Sequence, residues 1–198
     1  MWRYAALGCC LFVAGCGHEP PRLTAPAIDA VAAGKEAIAE YDTNGDGAIS
    51  GAELDQCPAL KSALKKYDNG TGKITAADIT ERILKWQESR ICMSQQPILL
   101  TLDGKPLTGA TVTAEPEKFL GPAIPAATGV SNAMGTVWPQ VAQNKPGVFF
   151  GLYKLRVSKQ VDGKETIPAR YNTQTELGFE KAPDGPSLTG LKLELKSK

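Results

Sequence analysis

Apolar residues recur at helical spacing in the first half of the chain. They fall at steps of three or four residues in stretches that lie before, between and after two polar, glycine-rich segments. A stripe with that period is typical of an amphipathic helix with one buried face. The predicted buried positions are Ile28, Val31, Ile38 and Tyr41 in the first stretch, Leu60, Leu64 and Tyr67 in the second, and Ile79, Ile83 and Trp86 in the third.

The pattern changes near Cys92 to short strand-like segments separated by turn residues. Residues 98–102, 110–114, 152–157 and 191–195 are such segments, and Asp103-Gly104 follows the first of them. Short strands with frequent turns favour an antiparallel β-sandwich. The sequence therefore predicts a multidomain α plus β chain. Its helical unit covers residues 27–93, and its β-sandwich covers residues 96–198.

The first polar segment, residues 42–53, carries oxygen-bearing side chains at alternating positions. Gly47 permits a sharp turn at the sixth position, and Ile49 at the eighth points away from the enclosed ion. This pattern predicts an EF-hand loop for Ca²⁺, with a surface turn rich in Asx and Gly as the alternative. The predicted ligands are Asp42, Asn44, Asp46, the backbone carbonyl of Ala48, Ser50 and the bidentate Glu53. Residues 52–56 are expected to continue as the exiting helix, and Pro58 to open the next one.

A second loop of the same kind is shortened. Asp42 to Asp68 spans 26 positions (68 − 42), but Gly47 to Gly72 spans only 25 (72 − 47), so one residue is missing. Its candidate ligands are Asp68, Asn69, Thr71, Lys73 and Asp78. With fewer acidic groups and no closing glutamate, this loop is expected to bind Ca²⁺ weakly. It is predicted to act as a structural partner, with Ile74 pairing with Ile49.

The N-terminus is typical of an exported protein. Arg3 precedes a short apolar run over residues 4–14, which predicts a signal peptide over residues 1–15. The run is shorter than the roughly 20 residues that span a bilayer. Val13-Ala14-Gly15-Cys16 resembles the lipobox of bacterial lipoproteins, and this resemblance implies that Cys16 is acylated. The alternative is an ordinary signal peptide cut near Ala14.

The expected location follows from these features. Residues 16–26 are rich in proline and polar residues and are predicted to be a lipidated tether. The mature protein is then exported and lipid-anchored to the bacterial cell envelope, by expectation at the outer membrane. Only Cys57 and Cys92 remain as thiols after processing. They form either one disulfide or two buried free thiols.

The second half resembles the carboxypeptidase-regulatory-like, prealbumin-type sandwich modules. The resemblance is carried by residues 101–112, by residues 151–157 and by Ile167-Pro168-Ala169-Arg170-Tyr171-Asn172. With the lipobox and the two loops, the whole chain is similar to a class of lipoproteins common in planctomycete-type bacteria. The resemblance implies an accessory, adhesive or spacer role for the sandwich.

Composition argues against several function classes. The net charge is +1 with no clustered basic face, which argues against nucleic acid as a partner. The single histidine, His18, lies in the predicted tether, so no His-based triad can be assembled. Glu115 and Glu117 are paired carboxylates, but at alternate strand positions they are expected to share a solvent face. No enzymatic activity is predicted.

The predicted function is that of a non-enzymatic calcium-binding envelope lipoprotein. In it, Ca²⁺ stabilises the helical unit, while the sandwich contacts cell-wall, matrix or protein partners. One alternative is a calcium sensor that exposes a hydrophobic surface, although Met93 is the only methionine near the two loops and sensor grooves are rich in methionine. The other alternative is an accessory module of an envelope enzyme system.

Overall fold

The computed structural model describes residues 23–142, 145–185 and 190–198. The predicted signal segment, the predicted lipidation site Cys16 and His18 lie outside the described residues. Within the described residues the chain is mixed α and β, and most of its strand pairs are antiparallel. No helix in these ranges is both long enough and apolar enough to cross a bilayer.

The helices lie in the first half of the chain. They are α1 (Ala30–Tyr41), α2 (Pro58–Ala63) and α3 (Ala76–Gln87), with 3₁₀ segments at Gly51–Gln56, Leu64–Lys66, Lys118–Leu120 and Ala169–Tyr171. Asp29 caps α1, because its Oδ1 accepts hydrogen bonds from the backbone N–H groups of Val31 and Ala32 at 3.1 and 2.9 Å. Pro58 opens α2 as predicted. The predicted exiting helix over residues 52–56 is a 3₁₀ segment instead.

The strands are short, and most lie in the second half. They are β1 (Ala48–Ser50), β2 (Lys73–Thr75), β3 (Met93–Ser94), β4 (Ile98–Leu102), β5 (Lys105–Pro106), β6 (Thr111–Pro116), β7 (Ala127–Val130), β8 (Thr136–Val137), β9 (Val148–Phe149), β10 (Gly151–Ser158), β11 (Gln160–Val161), β12 (Lys164–Glu165), β13 (Gly178–Lys181) and β14 (Leu191–Leu195).

Two larger sheets organise the second half. One has the order β13-β10-β6-β7 and is antiparallel throughout. The other has the order β14-β4-β5, with β8 also paired to β4. In it β14 runs parallel to β4, which places Leu193 beside Leu100. The expectation of a purely antiparallel arrangement is therefore wrong at this strand, because alternation reveals which face of a strand is buried but not its direction.

The buried face of α1 matches the predicted stripe only in part. Tyr41 is buried, and Ile28 and Ile38 are partly buried against the core. Val31 is 54% exposed, whereas the small residues Ala33, Gly34 and Ala37 are buried against α3. A Cβ atom at Gly34 would lie 2.4 Å from the Ala76 carbonyl oxygen, so the helices approach too closely for a larger residue. Small residues line this face of α1 because α1 and α3 approach each other closely. Apolar periodicity alone does not identify such a face.

The remaining helical predictions are confirmed. Ile79, Ile83 and Trp86 on α3 are buried, as are Leu60 and Tyr67, while Leu64 is partly buried. The buried apolar side chains of the helices and of the two sheets form one continuous cluster. The helical half therefore packs directly onto the β half.

The contact between the halves is close at α2. Gly178 on β13 faces the start of α2, and a Cβ atom there would lie 2.3 Å from the Ala59 nitrogen and from the Pro58 carbonyl carbon. No side chain larger than hydrogen fits between these two backbones. Glycine at this position allows the helix to lie directly on the sheet.

A buried ion pair joins α3 to the same strand. Arg82 Nε and Nη2 donate to Glu180 Oε1 and Oε2 at 2.6 and 2.9 Å, while Nη1 and Nη2 each donate to Asp184 at 2.7 Å. The Glu180 side chain is 1% exposed and the Arg82 side chain 8%. Tyr67 Oη and Trp86 Nε1 also donate to Glu180, at 3.1 and 3.2 Å. Every polar atom of this contact is thereby partnered.

Replacing Arg82 with methionine should strongly destabilise the protein. It removes the guanidinium and leaves the buried Glu180 carboxylate with fewer donors. Because Lys66 still contacts Glu180 at 2.7 Å, we expect a loss of about 3 kcal/mol in the free energy of unfolding, the low end of the range for broken buried pairs. Urea denaturation of Arg82→Met beside the parent chain measures the difference.

Lys85→Met is the matched control. Lys85 lies on the same helix and pairs with Glu81 at 2.7 Å, but both side chains are more than half exposed. Exposed pairs of this spacing contribute little, about 0.5 kcal/mol or less. Similar losses in the two variants would show that the Arg82 contact does not hold the halves together.

Candidate metal centre

The first loop starts where α1 ends. Asp42 follows Tyr41 directly, and its carboxylate accepts hydrogen bonds from the N–H groups of Gly45 and Gly47 at 2.7 and 2.8 Å. Both glycines adopt left-handed backbone conformations, with φ of 74° and 81°. Gly47 thus makes the sharp turn predicted at the sixth position.

The next two candidate ligands are held by similar short-range hydrogen bonds. Asn44 Oδ1 accepts from the Asp46 N–H at 2.8 Å, and Asp46 Oδ1 accepts from the Ala48 N–H at 3.0 Å. The loop therefore offers carboxylate, amide, hydroxyl and backbone carbonyl oxygens within twelve residues, which is the donor chemistry that hard divalent cations prefer. By donor type, the residues present fit Ca²⁺.

Glu53 closes the loop by bonding to its backbone. Its Oε1 accepts from the N–H groups of Thr43 and Asn44 at 2.9 and 3.2 Å, and its Oε2 accepts from the Ser50 N–H at 3.0 Å. These bonds, with the Ser50 bond the largest contributor, hold the pKa of Glu53 below its usual range. Among residues 23–142, 145–185 and 190–198, no three acidic, His or Cys side chains converge into a metal cage. Glu53 must exchange these amide bonds for a cation in order to chelate it.

A short antiparallel pair links the two loops. β1 pairs with β2 so that Ile49 lies opposite Ile74, and both side chains are fully buried. The predicted inter-loop pairing is confirmed. The same register places Ser50 opposite Lys73.

The second loop uses its polar groups internally. Asp68 accepts from the N–H groups of Gly70 and Gly72 at 3.1 and 3.0 Å, and Thr71 Oγ1 donates to the Asp68 carbonyl at 2.6 Å. Asn69 has φ of 47°, one of the few non-glycine residues described with a left-handed backbone. The loop thus retains a compact turn around Asp68 despite its missing residue.

Asp78, the predicted last ligand of the second loop, caps a helix. Its Oδ2 accepts from the N–H and Oγ1 of Thr75 at 2.8 and 2.6 Å, which forms a capping box at the start of α3. A carboxylate in this role stabilises the helix N-terminus without any metal.

The side chain of Lys73 has a role that the sequence prediction missed. The prediction used only its place in the second loop, but its Nζ lies 2.8 Å from Asp46 Oδ2 in the first loop. This hydrogen bond is the main cause that raises the pKa of Lys73 and lowers that of Asp46. The contact could be inferred only once the register of β1 and β2 was known.

Glu117 forms a second buried polar cluster next to the first loop. Its carboxylate accepts from Tyr41 Oη at 3.1 Å and from Cys57 Sγ at 3.5 Å, and Lys154 Nζ lies 3.2 Å away. Burial raises the pKa of Glu117, whereas Lys154 opposes the shift. Tyr41 immediately precedes Asp42, so the cluster fixes the start of the loop to the β half.

The predicted solvent face shared by Glu115 and Glu117 is wrong. Glu117 is only 1% exposed, while Glu115 is partly exposed and pairs with Arg156 at 3.0 Å. Strand β6 ends at Pro116, so Glu117 lies beyond the strand and no longer follows its alternation. It precedes the 3₁₀ segment Lys118–Leu120, which turns its side chain toward α1.

Both remaining cysteines are free thiols. Of the two alternatives, the structure therefore has no disulfide between Cys57 and Cys92. Cys57 is fully buried and donates to Glu117, whereas Cys92 is partly exposed and its Sγ lies 3.9 Å from the Leu23 carbonyl oxygen. Burial and the neighbouring Glu117 raise the pKa of the Cys57 thiol, which makes this group unreactive.

The Glu117 cluster predicts a specific pH dependence. Its folded pKa is raised above the ordinary value of 4.5, so the folded protein holds a proton that the unfolded chain has lost. Glu117 therefore makes the free energy of unfolding fall as the pH rises from 4.5 through the folded pKa. In Glu117→Gln this contribution should be absent.

Urea denaturation of both proteins from pH 4.5 to pH 8, in the same calcium-free buffer, tests this. The free energy of unfolding of the parent, relative to that of Glu117→Gln, should decrease as the pH rises across that interval. Glu115→Gln, at the partly exposed neighbouring carboxylate, is the control, because it removes the same kind of group outside the buried cluster. A constant difference between parent and Glu117→Gln would contradict the prediction.

Comparison of the chain with protein-family models, with curated proteins and with solved structures finds no match in any of the three. A function for the chain therefore rests on its own residues, their contacts and the chemistry of the two loops.

Proposed function

We propose that the chain is a non-enzymatic calcium-binding lipoprotein of the bacterial cell envelope. Its helical half is an EF-hand pair, its β half is a prealbumin-type sandwich, and the first loop holds Ca²⁺. The observation that carries the proposal is the first loop, where oxygen donors at alternating positions coincide with a left-handed Gly47 and with Glu53 folded back onto the loop.

The arrangement around the loop supports an EF-hand pair. Helix α1 leads into the first loop and α3 leaves the second, and the two loops are joined by the Ile49–Ile74 pair. In an EF-hand the residue at the eighth position faces the core and pairs with its counterpart. A surface turn rich in Asx and Gly has no need of two fully buried isoleucines.

A structural role for Ca²⁺ is favoured over a sensing role. The start of the first loop is fixed to the β half through Tyr41 and Glu117, and α3 is fixed through Arg82 and Glu180. A sensor must swing its helices apart on binding, and these buried polar contacts oppose that movement. Extracellular EF-hand-like sites have dissociation constants for Ca²⁺ of about 0.1–1 mM. A site of this modest affinity is filled wherever the calcium concentration outside the cytoplasm exceeds its dissociation constant.

The remaining parts of the proposal concern location and partners. Cys16 carries the lipid anchor, residues 16–26 form the tether, and the envelope membrane is the first partner. The sandwich serves as a spacer or as a contact for cell-wall, matrix or protein partners. Strand β10 contains residues 151–157, one of the stretches whose sequence resembles the prealbumin-type modules, and β6 begins at the end of another, residues 101–112.

Calorimetric titration with Ca²⁺ tests the metal site. The protein used begins at Gly17, so that no acyl chain is attached. We expect one site with a dissociation constant of about 0.1–1 mM. Asp42→Ala should abolish binding and Asp68→Ala should keep it. The two variants are closely matched, because each aspartate starts its loop and accepts hydrogen bonds from two glycine N–H groups.

Other outcomes have defined meanings. No heat up to about 10 mM Ca²⁺, above the usual extracellular range, would contradict the calcium proposal. Two equal sites would show that the shortened loop also binds. A structural role further requires that Ca²⁺ raise the midpoint of thermal unfolding. Increased hydrophobic-dye binding on adding Ca²⁺ would instead favour the sensor alternative.

A further inference from the structure

The second loop places a positive charge on a ligand of the first. Lys73 Nζ lies 2.8 Å from Asp46 Oδ2, although the residues are 27 positions apart. Asp46 occupies the fifth position of the first loop, where a carboxylate oxygen is expected to coordinate the cation. Its other oxygen, Oδ1, already accepts from the Ala48 N–H at 3.0 Å. The Lys73 ammonium thus contacts Oδ2, the Asp46 oxygen that accepts no hydrogen bond from the loop backbone.

The contact is fixed by strand register. The antiparallel pair aligns Ile49 with Ile74 and Ser50 with Lys73, and both isoleucines are fully buried. A slip of one residue would turn the isoleucines out of the core and would move Lys73 to the opposite face. Because the core holds the register, the ammonium stays beside the first loop.

We propose that Lys73 lowers the calcium affinity of the first loop by acting as a built-in competing cation. The inference rests on the proposed calcium site and identifies what regulates it. Ca²⁺ must displace the ammonium from Asp46 and must then bind close to a charge of the same sign. The shortened second loop thereby places a counter-charge beside the first loop from its seventh position, where only the backbone carbonyl is a candidate ligand.

The size of the effect follows from charge and exposure. The Lys73 and Asp46 side chains are 54% and 36% exposed, so water screens their interaction. At the same distance, the electrostatic repulsion between the Lys73 ammonium and a divalent ion is twice that between the ammonium and a monovalent ion. For a displaced ammonium about 6–12 Å from the divalent ion in water, we expect the affinity to change about three- to tenfold. Added salt should reduce the change, because exposed charges are screened over about 10 Å at 0.1 M ionic strength.

Calcium titrations of four versions of the full chain in detergent solution test the inference. They are the parent, Lys73→Gln, Lys73→Arg and Lys65→Gln. Lys65 is exposed on the same helical half, so its replacement removes the same unit of charge away from Asp46. Each titration is run at about 20 mM and at about 500 mM salt, on either side of the range where screening becomes strong.

We expect Lys73→Gln to bind Ca²⁺ about three- to tenfold more tightly than the parent at low salt, and by a smaller factor at high salt. Lys73→Arg keeps the charge and should stay near the parent, as should Lys65→Gln. Thermal unfolding without calcium should be similar in all four, since the contact is an exposed one.

Two failures can be told apart. If the parent binds Ca²⁺ and Lys73→Gln binds it no more tightly than Lys65→Gln, the role of Lys73 is overturned while the calcium site stands. If neither the parent nor Lys73→Gln binds Ca²⁺, the proposed function falls and this inference falls with it. Binding by Lys73→Gln but not by the parent would support the role of Lys73 and would contradict calcium binding by the parent chain.

Discussion

The buried ion pair between Arg82 and Glu180 is the contact on which the arrangement of the two halves depends. Placing a carboxylate with 1% exposure between a helix and a strand costs free energy unless its oxygens are bonded. Here the Arg82 guanidinium donates to both oxygens of Glu180, and Tyr67 and Trp86 donate further hydrogen bonds to it. Such a contact tolerates little change in angle or distance. It therefore specifies the position of α3 relative to β13, more than it adds to stability.

The other contacts across this boundary agree with that position. Gly178 lets the start of α2 lie directly on β13, and Tyr41 at the end of α1 reaches Glu117 beyond β6. Each helix of the helical half thus has its own point of attachment to the antiparallel sheet. The first loop begins at the residue after Tyr41, so it is held on one side by the sheet. A cation bound there would stabilise a frame that is already fixed, which is the physical basis for preferring a structural role to a sensing one.

Sequence patterns predicted the local features well and the long-range ones poorly. The buried face of α3 and the turn at Gly47 depend on neighbouring residues and were predicted correctly. The Ile49–Ile74 pair joins residues 25 positions apart (74 − 49), and it was predicted because the two loops repeat one pattern. The burial of Glu117 was missed, because it depends on where β6 ends and on Tyr41, 76 positions away. The exposure of Val31 on α1 and the direction of β14 were missed for the same reason. A close helix approach and a parallel partner strand are properties of packing, which periodicity does not record.

The two loops share a backbone plan but differ in their candidate ligands. The second loop keeps the features that maintain its backbone, namely the turn around Asp68 and the strand that pairs Ile74 with Ile49. Its closing acid, Asp78, bonds to Thr75 in a capping box, as Glu53 does to Ser50 in the first loop, but its side chain is one methylene shorter. At the seventh position a metal loop needs only a backbone carbonyl, so the side chain there is free to vary. Lysine at that position points its charge at the neighbouring loop, and it can do so only because the strand pairing was retained.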